Sequence, residues 1–266
     1  MRELEKVTQR IREFPGKAGF YYKNLATGEC AGYRAREAFY AASVIKLPIL
    51  AEVFRRMEQG TLDGDKEITL RREDRLPGCG GLQFLHDGVR LTLQDLYYQM
   101  IVLSDNTATN LLIKELGGGD AGDGMAAVNA LMQELGFGQT RLNRLLFDAE
   151  ASSRGIENTI GPEEMGVLLE RIHQGCLVSK TASEAMLSIL EEQQLNSKIP
   201  FYLRDVRIAH KTGEDDGITH DVGIIYAKEP FVLCLCGNEV DTADMERMMQ
   251  EVSLELYRMV QKEAGK

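Results

Sequence analysis

The stretch Arg207–Gly237, RIAHKTGEDDGITHDVGIIYAKEPFVLCLCG, decides the architecture. Its runs Arg207 to Thr212, His220 to Ala227 and Phe231 to Gly237 are rich in β-formers and joined by short connections, the pattern of three antiparallel strands. After them, Met245, Met248, Met249, Val252, Leu256, Met259 and Val260 recur on one face of a closing helix that can pack on the sheet. A Met stripe of this kind reads as core. Near the start, Leu4, Val7 and Ile11 mark a helix that stops at Phe14-Pro15-Gly16. Ala18 to Lys23 and Glu29 to Tyr33 follow as a hairpin turned at Ala26-Thr27-Gly28. The hairpin joined to the late strands gives a five-stranded antiparallel sheet flanked by N- and C-terminal helices, an α/β sandwich of α+β type.

Between hairpin and late strands the pattern is helical. Ser43 opens an apolar stretch to about Met57 with Gly60 as its stop, and Pro48 falls in the first turns, where a lost hydrogen bond is tolerable. Thr92 with Asp95 caps a helix through Leu103, and a second runs from about Thr107 to Leu116. Met125 to Leu135 is a third. Pro162 to His173, opening with Pro, Glu163 and Glu164, is a fourth. A polar excursion, Thr140 to Ile160, lies between the last two. With no linker and no internal repeat, the expectation is one domain over 1–266, its sheet part at about 1–40 and 180–266 and an all-helical insert at about 41–179.

Three short motifs stand on this framework: Ser43-Val44-Ile45-Lys46, Ser104-Asp105-Asn106 and Lys211-Thr212-Gly213. A Ser followed three residues later by Lys occurs about once by chance in a chain of this size. Each specified tripeptide is expected roughly a tenth of a time, so the weight lies in the conjunction. The motifs supply a hydroxyl nucleophile, two lysines to manage protons and charge, and polar groups for a substrate amide and carboxylate. Residues three apart share a helix face, which lets Lys46 reach the Ser43 hydroxyl. The second motif falls on a loop between helices. The trio is the signature of penicillin-interacting serine enzymes.

Bulk properties narrow the function classes. The chain has 266 residues, 44% of them hydrophobic, enough for a sizeable core. Thirty-one Lys and Arg stand against 41 Asp and Glu, a net charge of −10, which argues against nucleic acid or an anionic membrane as partner. The expected partner is a small molecule or peptide, and the expected state a monomer. No apolar run has the length of a membrane span, and the charged start Met1-Arg2-Glu3-Leu4-Glu5-Lys6 lacks a signal h-region. The chain reads as soluble: cytoplasmic as given, or secreted or periplasmic if a leader was trimmed. Cys30, Cys79, Cys176, Cys234 and Cys236 are odd in number, so at least one lacks an intrachain disulfide. Cys234 and Cys236 read as buried strand thiols in preference to a metal site. No cofactor and no metal are expected.

Two longer phrases, Ser104-Asp105-Asn106-Thr107-Ala108-Thr109-Asn110-Leu111-Leu112 and Thr140-Arg141-Leu142-Asn143-Arg144, extend the trio. With them the chain resembles class A serine β-lactamases and related serine hydrolases of the penicillin-binding superfamily, from Ala18 to the final helix. The resemblance implies that Ser43 attacks an amide carbonyl and becomes acylated, with Lys46 accepting or relaying its proton. Ser104, with Lys211 nearby, would protonate the leaving nitrogen. Asn106 would bind the substrate side-chain amide, and Lys211, Thr212 and Gly213 would meet its carboxylate. The backbone N–H groups of Ser43 and Glu214 would form the oxyanion hole.

The chain also departs from the family. Two residues after the arginine that ends the Thr-Arg-Leu-x-Arg phrase, class A enzymes carry a Glu that activates water for deacylation; here that position is Leu146. Leucine accepts no proton, and Asp148 is the nearest candidate substitute. The implied activity is therefore a β-lactamase-type hydrolase acting on a β-lactam or similar amide. Its alternatives are a D-alanyl-D-alanine peptidase or esterase, and a penicillin-binding sensor or trap with little turnover. Glu214-Asp215-Asp216 brings three acids to the expected mouth of the cleft, either disfavouring anionic substrates or simply solvated.

Weaker signals point to structure. Gly117-Gly118-Gly119-Asp120-Ala121-Gly122 fits a dinucleotide fingerprint but follows a helix instead of a strand. His210, His220 and Asp221 suggest a triad, yet no G-x-S-x-G elbow presents a serine to them. Gly78, Gly80 and Gly81 shape either the edge of the cleft or a plain turn around Pro77.

Overall fold

The structure, a computed structural model, describes residues 3–263; Met1, Arg2 and residues 264–266, the ends of the expected 1–266 domain, lie outside the described residues. From the N-terminus, α1 (Glu3–Arg12) leads into the hairpin β1 (Lys17–Asn24) and β2 (Cys30–Tyr33). Strand β3 (Phe39–Tyr40) and a 3-10 turn over Ala42–Ile45 open α2 (Lys46–Glu58). The short hairpin β4 (Glu67–Thr69) and β5 (Arg90–Thr92) precedes α3 (Leu93–Val102), α4 (Asn106–Leu116) and α5 (Ala121–Glu134). Then come α6 (Ala149–Ser153), β6 (Thr159–Ile160), α7 (Pro162–His173) and α8 (Lys180–Glu191). The late strands β7 (Ile208–Asp215), β8 (Ile218–Ile225) and β9 (Phe231–Asn238) and the closing α9 (Thr242–Glu263) complete the chain.

The expected five-stranded sheet is present, antiparallel throughout in the order β2-β1-β9-β8-β7. Side chains alternate between its faces. Phe20, Tyr22, Leu233 and Leu235 belong to a cluster with Val7, Ile11, Met245, Met249 and Val252 of α1 and α9. Their neighbours Tyr21, Val222, Val232, Cys234 and Cys236 belong to a second cluster with Leu168, Leu169 and the interior of the helical insert. Both faces are covered, which is why β9 is apolar along its whole length and does not alternate. Each fully enclosed Leu, Ile or Phe contributes about 1.5–3 kcal/mol.

Three helices depart from the sequence reading, the first being α6, which lies inside the expected polar excursion. α7, expected within the helical part, packs on β1, β8 and β9. α8 has no counterpart in that reading. Its Ser179 hydroxyl accepts the Ala182 N–H at 3.1 Å as an N-cap, and Met186, Ile189 and Leu190 are buried among α2, α7 and β7. All five cysteines are free thiols, with Cys234 and Cys236 buried in β9. No helix of the described residues is long and apolar enough to cross a membrane.

Candidate active site

The approach to Ser43 is fixed from the sheet. Tyr40 donates its N–H to Asn238 Oδ1 at 2.9 Å and receives on its carbonyl the Nε2–H of His220 at 2.7 Å. Gly237 N–H donates to His220 Nδ1 at 3.2 Å, so only the Nε2–H tautomer satisfies both contacts. Burial pushes this imidazole down to about 4, keeping it neutral. Ala41 N–H is held by the Asn158 carbonyl at 2.8 Å. Ala42 then turns through a left-handed conformation, φ 41°, uncommon for a residue with a Cβ. Ser43 follows in the 3-10 turn, and Lys46 is the first residue of α2. The motif thus starts one turn before the regular helix expected from Ser43.

The three motifs meet behind that turn. Lys46 Nζ lies 2.8 Å from Ser43 Oγ, 3.0 Å from Ser104 Oγ, 2.6 Å from the Ser104 carbonyl and 2.9 Å from Asn106 Oδ1. Lys211 Nζ donates to the same Ser104 Oγ at 2.9 Å and to the Thr212 carbonyl at 2.9 Å. Ser104 therefore stands between two amines. Its backbone is left-handed, φ 55°, which breaks α3 from α4 and presents the hydroxyl. Both lysines are buried. Loss of hydration, and then the neighbouring Lys211 charge, hold Lys46 well below the ordinary lysine range. Burial first and the Lys198 charge bring Lys211 down to about 7, against nearby acids that pull it up.

Asp105, for which the sequence reading has no role, organises the second motif. Its Oδ1 caps α4 by accepting Ala108 N–H at 2.9 Å, while Oδ2 accepts Leu82 N–H at 2.9 Å. Asn106 spans the gap, donating Nδ2–H to the Pro77 carbonyl at 3.0 Å while its Oδ1 holds Lys46. The loop 77–81 can lie this close because Gly80 has no side chain: a Cβ there would stand 2.1 Å from Asp105 Oδ2. Gly213 has the same property on β7, where a Cβ would stand 3.2 Å from Ser43 N.

These elements enclose a cleft of about 450 Å³ lined by Ser43, Cys79, Asn106, Leu146, Phe147, Asp148 and Glu214, among others. Of the expected residues, Ser43, Asn106, Asp148 and Glu214 line it; Lys46, Ser104, Lys211 and Thr212 are buried behind. Along one wall runs the polar excursion, tied by Arg144 to Glu157 at 2.6 Å and by Asn158 Oδ1 to the N–H groups of Asn143 and Arg144 at 2.8 and 3.0 Å. Asn110 of α4 clamps Leu146 by both backbone groups at 3.0 Å. Asp148 Oδ1 caps α6 by accepting Ala151 N–H at 3.0 Å.

The acid triplet divides. Glu214 is ion-paired with the wholly buried Lys198, whose second carboxylate neighbour is Glu246 at 3.9 Å. Asp215 and Asp216 are exposed, and Asp215 lines the cleft beside Glu214. His210 and Asp221 pair at 2.8 Å, and His210 also contacts Asn196 at 3.0 Å, a closed polar network with no serine in it. No group of potential metal ligands occurs among the described residues.

Comparison with known proteins gives the family and the fold. The Beta-lactamase enzyme family model matches residues 2–260. Beta-lactamase 3 of Bacillus cereus is 25% identical over 241 residues, 88% of this chain and 73% of that protein. Among solved structures, a β-lactamase from Sphaerobacter thermophilus superposes with a TM-score of 0.88 at 29% identity, covering 97% of this chain and 96% of the other. PBP-A superposes with a TM-score of 0.87 at 28% identity, covering 98% and 96%. A leucine-to-glutamate variant of PBP-A, solved as an acyl-enzyme complex with penicillin G, gives 0.87 at 27% identity over the same shares. With a family model spanning nearly its whole length and a five-stranded sheet fold shared with these structures, the chain belongs to the β-lactamase enzyme family, as a serine hydrolase of β-lactamase type.

Proposed function

We propose that Ser43 attacks the carbonyl of a β-lactam or peptide-like amide and carries the acyl group as an ester. The observation behind this reading is the unbroken chain Ser43–Lys46–Ser104–Lys211, with links of 2.8, 3.0 and 2.9 Å, in which Ser43 faces the cleft and the other three groups are buried. An amine held low by burial is available in its neutral form. Lys46 then accepts the Ser43 proton as the hydroxyl attacks, and the hydrogen bond between them reverses direction. Ser104 passes its own proton to the leaving nitrogen and is resupplied by one of the two amines it touches. The carbonyl oxygen, negative in the tetrahedral state, is met by the N–H groups of Ser43 and Glu214. The close approach of Gly213 to Ser43 N supports that pairing. Asn106 takes the side-chain amide from the cleft wall, and Lys211, Thr212 and Gly213 take the carboxylate at its inner end.

Release of the acyl group requires a water and a base. Leu146 supplies none, and Asp148 is the carboxylate assigned to the task, its Oδ2 being left over by the helix cap. A second reading, a D-alanyl-D-alanine peptidase or penicillin trap that holds the β-lactam acyl group, is favoured by Leu146 and by the likeness to PBP-A. A chromogenic cephalosporin separates the two: repeated turnover marks the hydrolase, and a burst of about one equivalent marks the trap. Asp148→Asn keeps a capping residue and removes the base. If Asp148 activates the water, acylation stays intact and release slows about a hundredfold; unchanged release takes Asp148 out of the mechanism.

A further inference from the structure

Five non-glycine residues among those described have positive φ: Arg34, Ala42, Ser104, Phe147 and Glu239. Ala42 and Ser104 hold the reacting groups. Phe147, at φ 60°, is the aromatic member of the set, and 53% of its surface is left in water although it is a large apolar side chain. A bulky residue in this conformation is strained, and such strain persists only where the surroundings impose it. They do so from both sides. Leu146 is clamped by Asn110, and Asp148 is held by its cap on α6 and by its N–H to the Leu145 carbonyl at 3.4 Å.

The ring this produces lies across the cleft. A Cβ on Gly78 would stand 3.3 Å from Phe147 Cζ and 3.0 Å from Asn106 Nδ2, so the ring tip touches the loop 77–81 beside the amide of Asn106. Among the described residues nothing covers the exposed half of the ring, and the cleft is the space it adjoins.

We infer that Phe147 is a specificity-determining residue: its ring is the apolar wall of a subsite for a flat, uncharged, apolar group carried on the acyl side of the scissile amide. This deepens the proposed function and rests on it. A substrate whose side-chain amide meets Asn106 places the next group against the ring, where burial of two apolar faces recovers what exposure of the phenylalanine costs.

The test compares Ser43 acylation by benzylpenicillin, which carries a phenylacetyl group, with that by aminopenicillanic acid, the same nucleus with a bare amine. In the wild type benzylpenicillin reacts faster. In Phe147→Ala its advantage falls about tenfold, the usual worth of one lost apolar contact region, while the bare nucleus keeps its rate. Phe147→Gly removes the ring and also relieves the strained φ, so it folds at least as well and must show the same loss of preference. An equal loss for both compounds, or an unchanged preference in both variants, overturns the subsite. Absence of labelling by either compound in the wild type overturns the acylation reading itself, a separate and recognisable failure.

Discussion

Enclosing an ammonium group costs hydration, and Lys211 shows the consequence: an amine at about 7 in the folded protein against an ordinary 10.5. Because its folded value is the lower one, the unfolded chain binds more protons across that interval, and stability rises with pH. Lys211's share is fully present above about 10.5 and is lost as pH falls toward 7. Buried Cys234 and Cys236, pushed up by burial, act in the opposite sense at high pH. The difference between proteins isolates the lysine. Denaturant midpoints of wild type and Lys211→Met across this range should converge at the alkaline end and separate toward neutrality, with the variant the more stable there; parallel curves contradict the depressed amine. At this scale the sequence was most readable where chemistry needs a fixed spacing, as with Ser43 and Lys46. Asp105 and His220 were not readable as organisers, because their partners Leu82, Tyr40 and Gly237 are brought to them only by the fold.

The strands of the five-stranded sheet and most helices could be found from local pattern, since period-two and period-3.6 burial leave marks in the sequence, whereas the short strands β3 to β6 could not. The hairpin β1–β2, the late strands and the break at Ser104 follow that rule. α8 escaped although it carries a cap at Ser179 and apolar residues at Met186, Ile189 and Leu190. The position of α7 was not local information at all, since its apolar stripe does not say which surface it meets. The loop 77–81 is the element whose role was open between a cleft edge and a plain turn. Its packing on Asp105 makes it part of the site, and two adjacent glycines distinguish the cases. Gly80→Ala meets Asp105 Oδ2 at 2.1 Å and forces an alanine to φ 101°, so a loss of about 2–3 kcal/mol is expected. Gly81→Ala meets nothing within 4 Å and keeps φ −98°, so it should be neutral or stabilising by up to about 1 kcal/mol. Thermal unfolding of the pair measures this, and equal behaviour would mean the loop does not pack on Asp105.

Over the whole molecule, the sheet acts as the fixed wall against which two distant helical segments are set. β7 stands at its edge, so one strand carries Lys211, Gly213 and Glu214 alongside the turn that holds Ser43. The motifs could be read singly from sequence and their convergence was implied by the family resemblance; which face of the sheet the helical insert covers could not be read. The aromatic wall at Phe147 was invisible as well, its strain and exposure being properties of the folded loop. The most direct measurement is peptide mapping of the protein after brief exposure to penicillin. We predict one acyl group per chain, on the peptide containing Ser43, absent from Ser43→Ala and strongly slowed in Lys46→Met. Acylation on any other residue, or labelling that survives Ser43→Ala, would contradict the arrangement of nucleophile and amines described above.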